Sequence, residues 1–173
     1  MKNLLKIFAI ATILFSLSAG SYAQVTGSAG ASATVVTPIS ITKEVDMEFG
    51  NLAVQPLTGG TCVMLPNGSR TATAGVTLPV VTGGPTAASF TVTGMPTYTY
   101  SIILPSTPLT ITRQTGTETM AISLFTSSPT PTGVIGAGGT QTLTVGATVT
   151  VNAGQVAGHY VAGTPFNVTV NYN

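Results

Sequence analysis

The chain has little of what enzymes and nucleic-acid binders depend on. It has no tryptophan, one histidine (His159), one cysteine (Cys62) and one aspartate (Asp46). Only 5% of its 173 residues are charged, against roughly a quarter in an average soluble domain. A single cysteine cannot close an intrachain disulfide, so a disulfide-stapled scaffold is excluded. A formal net charge of +1 provides neither a basic surface for nucleic acid nor an acidic tail. A catalytic triad would have to use His159 and Asp46, and no nucleophile-elbow pattern surrounds any serine. The 20 glycines and 11 prolines recur too often for a long helix to fit between them. The expectation is a non-enzymatic protein with no catalytic residue, no cofactor and no nucleic-acid partner.

Long apolar runs are confined to the start. Lys2 and Lys6 flank and interrupt an apolar stretch that continues to Leu17, and Ser21-Tyr22-Ala23 follows with small residues at the positions a signal peptidase reads. Residues 1–23 are predicted to be a secretory signal peptide. The stretch is shorter than the roughly 20 residues a spanning helix needs, and no later segment reaches that length without polar interruption. The chain from Gln24 is therefore expected to be exported to the periplasm, outer surface or medium, with no integral membrane span. It carries three basic residues (Lys43, Arg70, Arg113) against four acidic ones (Glu44, Asp46, Glu48, Glu118), a balance of −1.

What the chain does have is alternation. From Thr142 to Val151 the odd positions are Leu143, Val145, Ala147, Val149 and Val151, and the even ones are threonine or glycine. A period of two with one apolar face is the pattern of a half-buried strand. Threonine suits the wet face, because its branched Cβ favours extended backbone while its hydroxyl meets water. The same pattern places Ala88, Phe90 and Val92 on one face, and Tyr98, Tyr100, Ile102 and Leu104 on another. Leu109 and Ile111 form a short strand, and Met120, Ile122 and Leu124 share a face. At the two ends, Ala33, Val35, Ile39 and Ile41 align, as do Phe166, Val168, Val170 and Tyr172. Asn67-Gly68 is the best two-residue hairpin signal. Thr126–Thr132 reads as a loop, and Gln24–Ala31 as a mobile N-terminal segment. Many short strands with turn signals between them predict an all-β, antiparallel, immunoglobulin-like sandwich over residues 24–173.

Few residues are candidates for chemistry. Glu44, Asp46 and Glu48 at i, i+2 and i+4 of a strand would share a face, neighbours about 7 Å apart. They are weak candidate ligands for a hard cation, and otherwise a charge-protected edge. Cys62 reads as an inert buried thiol. His159 reads as a strand-end residue. Tyr98, Tyr100 and Tyr160 are the only obvious aromatic platforms for a glycan, and their strand positions make them core residues first.

Three groups of segments carry a family resemblance. The first is Ile39-Ser40-Ile41-Thr42-Lys43 followed by Met47-Glu48-Phe49-Gly50-Asn51-Leu52. The second is Ala88–Gly94 and Tyr98–Ile102. The third is Gly139–Ala147 and Phe166–Asn173. Together these resemble the DUF4402 domain proteins, exported bacterial proteins of unassigned function, over most of residues 33–173. That family supplies no catalytic residue to carry over, and Cys62 stands where a plain hydrophobic residue is expected. The layout is also similar to fimbrial and spore-coat-U-like subunits, in which a neighbour's strand completes an unfinished sandwich. This likeness implies self-assembly or a secretion chaperone and usher as partners. It points to Ala33, Val35, Ile39 and Ile41 as a donor strand and to Phe166, Val168, Val170 and Tyr172 as a groove-lining strand. Two departures count against it: fimbrial subunits often carry a disulfide, and Pro38 removes one backbone donor. The alternatives are a self-complete sandwich and a monomeric binding module for a glycan or surface ligand.

Overall fold

The computed structural model describes residues 24–173; the expected signal peptide lies outside them. Contacts gather Val36–Asn173 into one compact unit. Gln24–Val35 lie outside that unit, contain no strand, and are all exposed.

The described residues form an all-β fold of 13 strands: β1 (Ser40–Val45), β2 (Ala53–Val54), β3 (Gly60–Met64), β4 (Arg70–Ala74), β5 (Val76–Thr77), β6 (Ala88–Thr93), β7 (Thr99–Ile103), β8 (Leu109–Arg113), β9 (Thr119–Ser128), β10 (Thr132–Val134), β11 (Thr140–Val151), β12 (Tyr160–Ala162) and β13 (Thr169–Tyr172). All pairings are antiparallel. The larger sheet runs β1-β6-β11-β9-β8-β12, with β3 and β4 branching from β11. A second sheet runs β10-β7-β13, and β2 pairs with β5.

The 12-residue β11 is the spine. Its first half pairs with β6 and its second half, from Ala147, with β3. Gly146 sits at the changeover, where a Cβ would collide with the Met64 carbonyl oxygen. The inward positions Leu143, Val145, Ala147, Val149 and Val151 are all buried, as the alternation requires. They feed two clusters. One gathers Cys62, Met64, Val149 and Ile122 between β3, β11 and β9. The other gathers Val92, Leu143, Val145, Tyr100, Ile135 and Val170, with the β10-β7-β13 sheet lying over β1, β6 and the first half of β11. Each fully buried aliphatic side chain contributes roughly 1.5–3 kcal/mol.

Four local readings need correction. The first strand does not start at Ala33; pairing begins at Ser40, because Pro38 cannot donate to a ladder and holds the residue before it extended. Leu124 does not share a face with Met120 and Ile122. It adopts φ 51°, the ladder to β11 shifts between Gly146 and Thr148, and this bulge turns Leu124 outward and Phe125 into the core. Thr126–Thr132 is not a free loop, since β9 continues to Ser128 against Val145 and Thr144. The Asn67-Gly68 hairpin joins β3 to β4 as expected, but through a three-residue loop. Leu65 N–H reaches the Ser69 carbonyl at 2.9 Å, Gly68 N–H returns to the Leu65 carbonyl at 2.9 Å, and Gly68 takes φ 83°. This is a type I turn closed by a glycine bulge.

Candidate interaction surface at the last strand

Among the described residues β13 pairs with one strand, β7. Asn173 N–H bonds to the Thr99 carbonyl, and Thr169, Asn171 and Ser101 continue that register. The main-chain groups of Asn171 and Thr169 therefore face β7, and by alternation those of Val170 and Tyr172 face the other edge. Among the described residues no strand pairs with that edge. Across from it lies β1, itself an edge strand of the larger sheet, which approaches β13 without pairing to it.

Apolar side chains floor the opening. Val170 is buried, while Ile39 and Ile41 on the β1 side and Phe166 and Val168 on the β13 side are half-buried against the same cluster. Phe166 lies edge-on to Phe90 at 6.4 Å and tilted against Phe125 at 5.0 Å, geometries that aromatic pairs favour. A separate shallow groove of about 360 Å³ lies on the β7–β8 side of the segment entering β13, lined by Leu104, Pro105, Pro108, Pro165 and Phe166 and by no residue of β1. No charged side chain lines it.

Tyr172 latches the far end. Its hydroxyl accepts from Met95 N–H at 2.6 Å and donates to the Thr37 carbonyl at 2.8 Å. Its ring meets Tyr98 edge-on at 5.6 Å. Gly94 makes room for it, since a Cβ there would strike the hydroxyl. One phenol thus ties the end of β13 to the β6–β7 turn and to the segment entering β1. Alternation placed Tyr172 on a face but gave no sign of this latch.

The structure brings six of the eight residues expected to act in strand exchange into one neighbourhood: Ile39, Ile41, Phe166, Val168, Val170 and Tyr172. Ala33 and Val35 are instead exposed, Val35 at 96%. Ile39 and Ile41 pack in their own chain's core, which makes them walls of the opening and not part of a free donor.

The other candidates are dispersed. β1 ends at Val45 after a register shift, so Glu44, Asp46 and Glu48 do not lie on one regular strand. Asp46 pairs with Lys43 at 2.7 Å on the exposed surface, and Glu48 accepts from Gly50 N–H at 3.0 Å. Among the described residues no three His, Cys, Asp or Glu side chains form a metal-holding group. His159 is exposed just before β12, at the opposite edge of the larger sheet from Asp46, with four strands between. Tyr100 is fully buried and donates to Gln141 at 2.8 Å. Tyr160 donates to the Val156 carbonyl at 2.6 Å. Tyr98 remains 42% exposed. Burial pushes the Cys62 thiol up, an effect the Arg70 charge partly opposes. Arg113 and Glu118 pair at 2.7 Å across the β8–β9 hairpin; the hydrogen bond from Arg113 holds the Glu118 carboxyl below its usual range.

Fold and surface together define an antiparallel, sandwich-like all-β domain whose last strand has one free edge. The chain belongs to a family described as a domain of unknown function, DUF4402, whose model matches residues 39–172. No curated protein and no solved structure matches it.

Proposed function

We propose that the protein is a non-enzymatic, exported structural subunit that assembles at the cell surface by admitting a strand into the opening between β1 and β13. Strand order carries the reading. An immunoglobulin-type sandwich places its strands A, B, E and D in one sheet and C, F and G in the other. In chain order β1, β6, β7, β9, β11 and β13 stand where A to F stand, with β1-β6-β11-β9 in one sheet and β7-β13 in the other. The place of G, beside β13, holds no strand among the described residues. β-Strand addition draws affinity from main-chain hydrogen bonds and specificity from alternate side chains. The main-chain groups of Val170 and Tyr172 and the half-buried apolar floor supply both. The separation of His159 from Asp46 supports the non-enzymatic part of the reading.

The test is a sheared surface fraction from the native cells, run on a denaturing gel with and without boiling. A ladder that collapses to one monomer band on boiling is the expected result. A single monomer band in both lanes overturns the assembly reading and leaves a self-complete domain.

A further inference from the structure

Resting on that reading, we infer that the incoming strand is residues 25–36 of a second copy of this chain, so that copies join head to tail. Val25, Gly27, Ala29, Ala31, Ala33 and Val35 occupy the odd positions; the even ones are threonine, serine or glycine until Val36. That is a two-residue period with a small-residue face. Ile39, Ile41, Phe166 and Val168 are large side chains already packed beside this edge, and a strand of alanine and valine adds the least bulk against them.

Length and charge agree. Twelve extended residues reach about 40 Å, and the seven from Phe166 to Tyr172 span about 23 Å, at roughly 3.3 Å each. No charge occurs from Gln24 to Thr42, so nothing ionised would be buried on docking. Val25 and Val35 are 92% and 96% exposed.

The exit path favours a second copy over the chain's own edge. Ser40 pairs with Thr93 and the Thr37 carbonyl is held by Tyr172, so the chain enters β1 at the end of the sandwich where β13 finishes. Re-entering its own opening would need a reversal within residues 36–39. Pro38 there fixes its own φ and biases Thr37 to extended backbone. A donor from one copy on the edge of the next is a heterologous contact, and such a contact propagates as an open chain of subunits.

The experiment compares the chain from Gln24 with its A33D/V35D variant, whose changes fall on exposed residues outside every strand, and reads both assembly state and amide exchange at Val170 and Tyr172. Expected are heat-sensitive oligomers with both amides protected, and a folded monomer with both amides open in A33D/V35D. A synthetic peptide of residues 24–37 should restore protection in that monomer. Oligomers of A33D/V35D that match wild type overturn the donor assignment; protected Val170 and Tyr172 in them would leave the open-edge reading standing, and open amides would overturn both. A wild-type monomer whose protected amides open in A33D/V35D overturns the second-copy assignment, because the segment then covers its own edge. A wild-type monomer with open amides overturns both readings.

Discussion

Replacing Tyr172 by phenylalanine removes one oxygen and tests whether β13 is latched as described. The ring is retained, so its edge contact with Tyr98 and its packing change little. Two hydrogen bonds disappear, from Met95 N–H and to the Thr37 carbonyl. A net hydrogen bond is worth about 0.5–1.5 kcal/mol, and an orphaned buried donor costs about 1–3 kcal/mol. Water can reach part of this site, because Tyr172 is half-buried, so the lower part of that range applies. The sum is about 1–2.5 kcal/mol. For a domain of this size each kcal/mol moves Tm by roughly 2–4 °C, which gives a fall of about 2–10 °C. The assay is urea unfolding followed by tyrosine fluorescence, done in the A33D/V35D background so that assembly adds nothing. The midpoint should drop with an unchanged m-value. Tyr98→Phe is the control; its ring is 42% exposed, and a change within about 0.5 kcal/mol is expected for such a surface site. If Tyr172→Phe shifts the midpoint no more than that control, the latch contributes nothing and the reasoning fails.

Three other positions give further expected outcomes. Gly94→Ala forces a methyl against the Tyr172 hydroxyl and should cost about 1–3 kcal/mol; part of that cost should vanish with Tyr172→Phe, and strict additivity in the double-mutant cycle would count against the contact. Gly133→Ala places its Cβ on the Tyr100 phenol, whose hydroxyl is bonded to Gln141, and should destabilise by a similar amount; a neutral result would refute it. Cys62 should resist alkylation at neutral pH until the fold opens, so a labelling rate that ignores urea would refute its burial. Because burial raises its pKa, the folded state keeps the proton longer. Its contribution is complete below the thiol's ordinary pKa and is lost as pH rises above that value, and Cys62→Ala should remove that alkaline loss.

Alternation made β6, β11 and β13 legible, because each presents one clean apolar face to a core that lies on one side. It misread β9, because Ile122-Ser123-Leu124-Phe125 offers an apolar residue at both 124 and 125, and either continuation satisfies the pattern. The choice is made by register with β11, where Gly146 and Thr148 leave one residue of β9 to bulge. No glycine within β9 marks the site. Thr126–Thr132 read as a loop on its prolines, yet Ser127 and Ser128 are held by Val145 and Thr144, a long-range pairing that local composition does not encode. At the candidate surface the sequence named both partners but not their division. Ala33, Val35, Ile39 and Ile41 share one period, and only the start of pairing at Ser40 separates exposed residues from those that stay in the core.

The strand edges of this chain are not treated alike, and that contrast supports the assignment of β13. Proteins blunt free edges with charge, proline, bulges or short strands. β1 carries Lys43 and Glu44 and a register shift beside them. β4 opens with Arg70, whose guanidinium caps the Phe49 and Asn51 carbonyls. β10 and β12 are three residues each, and β10 follows Pro129 and Pro131. β13, at four residues, is also short but has no charge, proline or shift within it. In a chain that is 5% charged, leaving this edge without those three devices is a difference that a covering strand accounts for. Supplying the missing device should therefore abolish assembly. Val168→Lys puts an inward-facing ammonium at the half-buried start of β13; its stem can snorkel to water in the monomer, but a docked strand would trap the charge. The expected result is a folded monomer with near-native circular dichroism and no ladder. Oligomers of Val168→Lys as abundant as those of the parent chain would show that nothing docks beside β13.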